Sequence, residues 1–235
     1  MRQSAHHRRL GLISAVILTM AAETAHAAPV TVPAGLNPGD QYRLVFITAG
    51  TLAASSTDIS TYDTFVTTEA DSNAALLALA TTWVAIGSTA TVNAFDHIGG
   101  SFTIPVYNLA GSLVATGASD LWDGSLGAPI KYDESGDQVA IGAIVWTGTG
   151  SNGQKTSNPL GYVGTPPTST YGNPSSTGPN WAFNGAVGNV ETFEFYAISG
   201  TLTVPAAVPE PGTVGLVGLA LATLAGLRRY RSRPK

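Results

Sequence analysis

Tyr42-Arg43-Leu44-Val45-Phe46-Ile47 is the stretch on which the fold turns. It is rich in β-formers and follows an Asn37-Pro38-Gly39-Asp40 turn, so it reads as the first core strand. From Thr57 the period changes. Ile59, Tyr62, Phe65 and Val66 fall on one helical face, with Thr57 or Asp58 as N-cap, and Ala74 to Ala80 predicts a second short helix opened by Asp71 or Ser72. Trp83-Val84-Ala85-Ile86 returns to strand. Ile104 to Tyr107 and Leu113-Val114 read as a hairpin around Asn108 to Gly111, with Pro105 demoting its first strand to an edge. Leu121 to Gly124 is a turn or one helical turn, and Val139 to Trp146 is a strand run broken by Gly142. Residues 148–180 hold seven Gly and five Pro with one charge, Lys155, which predicts a long loop. Thr192 to Ile198 alternates and closes the domain, followed by Leu202-Thr203-Val204.

Charge divides the chain of 235 residues into three parts. The formal net charge is −4, but eight of the eleven basic residues lie in the two ends. Between Ala28 and Val208 there are 13 acidic residues against 3 basic ones, Arg43, Lys131 and Lys155, a net charge of −10. A nucleic-acid binder needs a clustered basic face to neutralise phosphates, so no nucleic-acid partner is expected. The chain has no Cys, which removes disulfide scaffolds, cysteine zinc sites and cysteine nucleophiles. Ser and Thr supply 40 residues of the middle, a composition that favours strands and turns while keeping a polar, uncharged surface.

At the N-terminus, three Arg and two His in residues 1–9 precede an uncharged apolar run from Leu10 to Ala22, and a short polar stretch ends in Ala25-His26-Ala27. This predicts a secretory signal peptide over 1–27, cut by signal peptidase after Ala27, with the small residues Ala25 and Ala27 at −3 and −1. The apolar run is too short to span a bilayer.

The C-terminus reads Val208-Pro209-Glu210-Pro211-Gly212-Thr213, then Val214 to Leu227 without a charge, then Arg228-Arg229-Tyr230-Arg231-Ser232-Arg233-Pro234-Lys235. A helix over 213–227 is short for a hydrocarbon core of about 30 Å but workable with snorkelling Arg side chains, and the cations would keep the tail on the cytoplasmic side. The arrangement closely resembles the PEP-CTERM sorting signal of Gram-negative surface proteins. That resemblance implies that an integral-membrane exosortase recognises Pro209, Glu210 and Pro211 and cleaves near them, while the helix and the cluster at Arg228 and Arg229 hold the box at the inner membrane. It also implies a membrane-anchored precursor that ends at the cell surface or in the medium, among exopolysaccharide or biofilm. A Pro-rich box cannot continue the following helix, so it stays extended where a protease can engage it.

Residues 28–207 form the expected extracellular domain. Its order of strand, helix pair, Thr82-Trp83 strand, Pro105-Val106-Tyr107 with Gly111-Ser112-Leu113-Val114, Val145-Trp146-Thr147-Gly148-Thr149, long loop, Asn180-Trp181 and terminal strand is similar to a bacterial surface domain of uncharacterised function. That family is similar to C-type-lectin-like and endostatin-like folds. The fold class expected is therefore α+β, a C-type-lectin-like domain of short helices packed on antiparallel strands with a long Gly/Pro-rich loop; the alternative is an all-β sandwich. The family's cysteines are missing, as are the Glu-Pro-Asn and Trp-Asn-Asp motifs of calcium-dependent lectins, so no sugar site carries over.

The residues with chemistry are few. His97 is the last His once the signal is removed, and no Gly-x-Ser-x-Gly elbow follows a strand, so no catalytic residue is assigned and the chain reads as no enzyme. The alternative is a secreted carboxylate-dependent glycoside hydrolase that would draw its acid pair from Asp120, Asp123, Asp133, Glu134, Asp137, Glu191 and Glu194. Calcium is the cofactor considered: Asp133, Glu134 and Asp137 put three carboxylates around a Gly turn, a set of hard oxygen ligands, though a Gly-Asp turn explains them without an ion. Trp122 and Trp181 are the candidates for stacking on sugar, with Trp83 and Trp146 read as core. The function expected is a non-catalytic structural or adhesive domain, with carbohydrate binding through its loop.

Overall fold

Residues 28–206 are described in a computed structural model of the chain. In chain order the elements are β1 (Gln41–Ile47), β2 (Leu52–Ala53), α1 (Ile59–Ser72), α2 (Ala74–Leu77), β3 (Trp83–Ala85), α3 (Ala94–His97) and β4 (Val106–Asn108). They continue with β5 (Leu113–Ala115), α4 (Ala118–Leu121), β6 (Val145–Trp146), β7 (Thr168–Gly172), β8 (Gly185–Gly188), β9 (Thr192–Ser199) and β10 (Leu202–Thr203). The main sheet runs β5-β4-β1-β9-β6-β7-β8, with β10 added to β1 and with β2 and β3 added to β9.

Strand β1 is apolar at every position from Leu44 to Ile47 because both faces of the sheet are covered. Alternate side chains point to opposite faces. Leu44 and Phe46 accordingly join one buried cluster, and Val45 and Ile47 join the other. Strand β9 is split the same way, Phe195 and Ala197 against Tyr196 and Ile198. The two strands are antiparallel neighbours in the register Val45↔Ile198, Phe46↔Ala197 and Ile47↔Tyr196.

Helix α1 covers the first face. Asp58 caps it by accepting from the Ser60 amide at 3.0 Å. Tyr62, Val66 and Ala70, spaced by one helical turn each, are its buried residues, and Ile59 and Phe65 pack beside them. Tyr62 stacks on Phe195 with centroids 4.9 Å apart. The second helix is opened by Asn73, not by Asp71 or Ser72. Asn73 leaves the helix with φ −97° and ψ 119°, and its side-chain oxygen accepts from the amides of Ala75 and Leu76, so one short polar residue ends α1 and starts α2.

The other face is covered by α3, α4 and a 3-10 turn at Pro179–Trp181. Trp122 lies 5.4 Å from Trp181, which lies 5.7 Å from Tyr196. Arg43 is the cation of this layer, only 7% exposed. Its Nε donates to the Ser199 carbonyl and its Nη1 to the Ile98 carbonyl, each at 2.7 Å, with the guanidinium 4.8 Å from the centre of the Phe102 ring. Burial pushes its pKa down to about 10.

Several expectations are corrected here. The sheet is mixed, since β1 runs parallel to β4 and β6 parallel to β9, and its strands are joined in one network rather than in two facing sheets. Strand β4 lies between β1 and β5 and is not an edge. Pro105 stands just before it, where the missing N–H is not needed and its carbonyl accepts from the Arg43 amide at 2.9 Å. Of the run from Val139, only Val145–Trp146 is strand; Gly142 turns at φ +87° and Ile141 is fully exposed. Residues 148–180 are not a structureless loop, because they contain β7, which pairs with β6 and β8. Polar side chains hold it: the Ser169 hydroxyl donates to the Pro159 carbonyl, Asn158 Nδ2 donates to Thr168 Oγ1, and the hydroxyls of Thr156 and Thr170 are 2.7 Å apart. What results is a mixed sheet with a few short helices, an architecture within the α+β class. Among the described residues no helix is long and apolar enough to cross a membrane.

Candidate functional site

Two carboxylates meet at the corner where β1 ends. Thr48 makes that corner: its hydroxyl donates to the Gly50 carbonyl at 2.8 Å and accepts from the Phe195 amide at 3.0 Å, which holds the turn against β9. The amides of Ala49 and Gly50 are thereby presented as consecutive donors. Glu134 Oε2 accepts from Ala49 at 2.9 Å, and Glu69 Oε2, from α1, accepts from Gly50 at 3.0 Å. A side chain at Gly50 would place its Cβ 2.5 Å from Glu69 Oε1, so this approach is open because residue 50 is glycine. Glu134 is 5% exposed. Desolvation raises its pKa, the charges of Asp133 and Glu69 raise it further, and the Ala49 amide works against them. Glu194 in β9 is also raised by burial. A buried carboxyl held toward its protonated form is a chemically competent general acid, but here its oxygen is committed to a backbone amide.

His97, the last residue of α3, forms a second pair. Its Nε2 is 2.8 Å from Asp63 Oδ1 of α1, an oxygen that also accepts from the Ala85 amide at 2.9 Å. Facing a carboxylate, Nε2 is the ring nitrogen that carries the proton. Among the described residues no serine or threonine hydroxyl is hydrogen-bonded to His97, so the pair lacks the nucleophile of a triad and joins α1, α3 and β3 instead.

The acidic loop is a turn built on one side chain. Asp133 Oδ1 accepts from the amides of Ser135 and Asp137, both at 2.9 Å, and Gly136 supplies a positive φ of +85°. Glu134 points away from that turn toward Ala49, so the three carboxylates proposed as calcium ligands are not brought together around one point. Among the described residues no group of three or more His, Asp or Glu is placed to hold a metal ion. Asp120 accepts from the amide and hydroxyl of Thr116, and Asp123 from the Ser125 amide, each closing its own local turn.

Trp181 is fully buried and Trp122 is 8% exposed, so the two indoles named for sugar stacking lie in the core with Trp83 and Trp146. Trp181 closes the 3-10 turn Pro179–Trp181 and is covered by Trp122 and Tyr196, an arrangement that a Gly/Pro-rich stretch did not reveal. Sequence reasoning missed Glu69, Asp63 and Arg43. The first two are partly buried and flank the buried stripe of an amphipathic helix, where a carboxylate carries no signal of its partner far along the chain.

Open grooves among the described residues include these two. One, of about 420 Å³, is lined by Phe95, Ser101, Phe102, Thr103, Ala118 and Ser119 beside α3 and α4. The other, of about 340 Å³, lies where the described chain ends, with Val32, Tyr42, Leu79, Leu202 and Pro205 among its walls.

The sorting elements lie outside the described residues. These are the signal peptide with Ala25 and Ala27, the box Pro209, Glu210 and Pro211, the expected helix 213–227, and Arg228 and Arg229. A comparison of the chain with curated proteins finds no match. Residues 207–229 match the PEP-CTERM protein-sorting motif, so the chain carries the signal of an exported, exosortase-processed protein made as a membrane-anchored precursor.

Proposed function

We propose that the mature protein is a non-catalytic structural or adhesive component of the cell surface or extracellular matrix, in contact with exopolysaccharide. The observation that carries this reading is the employment of the domain's chemical groups as frame. Glu134 and Glu69 hold the corner after β1, Asp63 and His97 hold α1 to α3 and β3, and Trp122 and Trp181 fill the core. A C-type-lectin-like fold belongs to the same reading. It is supported by the adjacency of β1 and β9, which brings the first and last long strands of the domain side by side. Binding of sugar would then use polar, uncharged surface. A glycan array probed with the processed protein tests the proposal, and an array without a single polysaccharide signal would remove the adhesive role.

One observation favours a second reading. Glu69 and Glu134 converge on consecutive amides, and the latter is held toward its protonated form, as the acid of a carboxylate hydrolase would be. That reading requires polysaccharide turnover that disappears in both Glu69→Gln and Glu134→Gln while the fold survives.

A further inference from the structure

The main sheet ends differently at its two sides. At β5 the chain returns, and the Gly127 amide donates to the Val114 carbonyl at 2.8 Å. Beyond β8, among the described residues, no further strand follows. In an antiparallel pair, residues that bond to the neighbouring strand alternate with residues whose amide and carbonyl point away from it. Thr170 stands opposite Ala186, yet its amide donates to the Asn158 carbonyl and its carbonyl accepts from the Thr147 and Gly148 amides, away from β8. The Asn189 amide, by contrast, donates to the Pro167 carbonyl at 3.2 Å. Ala186 and Gly188 therefore turn their amides to the open edge, and Ala186 turns its carbonyl there as well. Edges of this kind are open to a further strand and are commonly guarded by Lys or Pro, but Gly185-Ala186-Val187-Gly188 holds neither a charge nor a proline.

Two observations select a second copy of this chain as that strand. The first is charge. Between Ala28 and Val208 the chain has 13 acidic residues against 3 basic ones, so two copies repel over most of their surface, whereas residues 156–190 contain no Asp, Glu, Lys, Arg or His. Strands β7 and β8 both lie within that uncharged stretch. The second is the placement of apolar side chains. Phe183 is 51% exposed just before β8 and Val190 is 70% exposed just after it, with Ala186 exposed between them, while Val187 packs on the core and Asn189 is buried. A two-fold axis at Ala186 exchanges the two ends of the strand, so the Phe183 end of each copy comes alongside the Val190 end of the other. A second copy supplies this complementary pattern by symmetry.

We propose that β8 pairs antiparallel with β8 of a second copy about a two-fold axis at Ala186, joining the two sheets edge to edge. The Ala186 amide of each copy donates to the Ala186 carbonyl of the other, and Phe183 and Val190 cover one another at both ends of the pair. The contact is small, of the size that gives weak association, and each copy brings this one edge to it, so the assembly closes as a dimer. The pairing is independent of what the domain binds.

Sedimentation of the exported, processed protein should show a monomer–dimer equilibrium at about 100 μM, as suits a small interface. Ala186→Pro removes a donor that β7 does not use, and Val190→Asp adds a charge at an exposed position. Each should weaken the dimer about tenfold while the melting curve stays close to that of the parent. Should Ala186→Pro melt early, Val190→Asp decides. The absence of Cys makes a single thiol readable. With a short bifunctional maleimide, Ala186→Cys should cross-link to a dimer and no further, and Leu77→Cys, exposed on α2, should not. Protein that stays monomeric at roughly 500 μM overturns the proposal. A dimer that Val190→Asp leaves intact also overturns it, because another face would then hold the copies together. Cross-linking of Ala186→Cys to a different protein of the cell surface does the same, since the strand on this edge would then be foreign.

Discussion

Glu134 accepts a hydrogen bond from the backbone amide of Ala49 at 2.9 Å, which ties the 133–137 turn to the corner after β1. Because burial raises the pKa of Glu134 above its ordinary value of 4.5, the folded state binds that proton more tightly than the unfolded chain does. The stability so contributed is complete below the ordinary glutamate range and is lost as pH rises through the folded-state value. Glu134→Gln retains an acceptor for Ala49 and removes the charge. Thermal melts of the two proteins should therefore coincide near pH 4, and the variant should melt higher at pH 8. A variant that melts lower at pH 8 would show that the charge itself is stabilising.

Trp181→Ala should be among the most damaging single changes. It removes a fully buried indole that meets Trp122 and Tyr196, and large aromatic truncations of this kind cost about 3–5 kcal/mol. In a domain of this size that lowers Tm by roughly 10 °C. A loss of less than about 1 kcal/mol in denaturant titration would contradict the burial of this side chain.

Ala80→Gly should stabilise. Ala80 has φ +48° just past α2, a left-handed conformation that disfavours a Cβ, and glycine relieves it. The gain, after the greater entropy of the unfolded glycine, is about 0.5 kcal/mol, readable as a small upward shift in chemical-denaturation midpoint.

Gly172→Ala should destabilise far more than an ordinary strand substitution. Its Cβ would stand 1.9 Å from the Trp181 carbonyl oxygen, a backbone atom that cannot step aside. Poor soluble yield, or a loss above about 2 kcal/mol, is the expected result.

Calcium should leave the melting temperature unchanged at millimolar concentration. Asp133 Oδ1 is engaged by two amides and Glu134 by a third, so an ion would have to dismantle the turn before it gained ligands. A rise of several degrees, lost in Asp133→Asn, would restore the loop as a calcium site.

What was legible in the sequence followed apolar pattern. Leu44 to Ile47, the face of α1 at Tyr62 and Val66, and the closing strand at Phe195 to Ile198 are buried hydrocarbon, and burial leaves its mark on composition. Strand β7 escaped because Thr168-Ser169-Thr170-Tyr171-Gly172 is held by hydroxyls on carbonyls and on one another, a form of burial that reads as loop. Pro105 misled for a related reason: a proline is barred from a strand interior only where its N–H is required, and it precedes β4 with its carbonyl still in use. The Asp63–His97 and Glu69–Gly50 pairs escaped because local spacing carries no information about which carboxylate reaches which donor.

Strand β9 hydrogen-bonds to β1, β2, β3 and β6, yet it is nearly the last part of the domain to be made. A chain exported from its N-terminus must hold those four strands without their common neighbour until Thr192–Ser199 has passed through the membrane, and the uncharged tail segment begins only at Val214. Completion of the sheet and arrest of the chain in the bilayer are thus close in time, and slow pairing of β9 would leave an anchored chain with its apolar core open at the membrane surface.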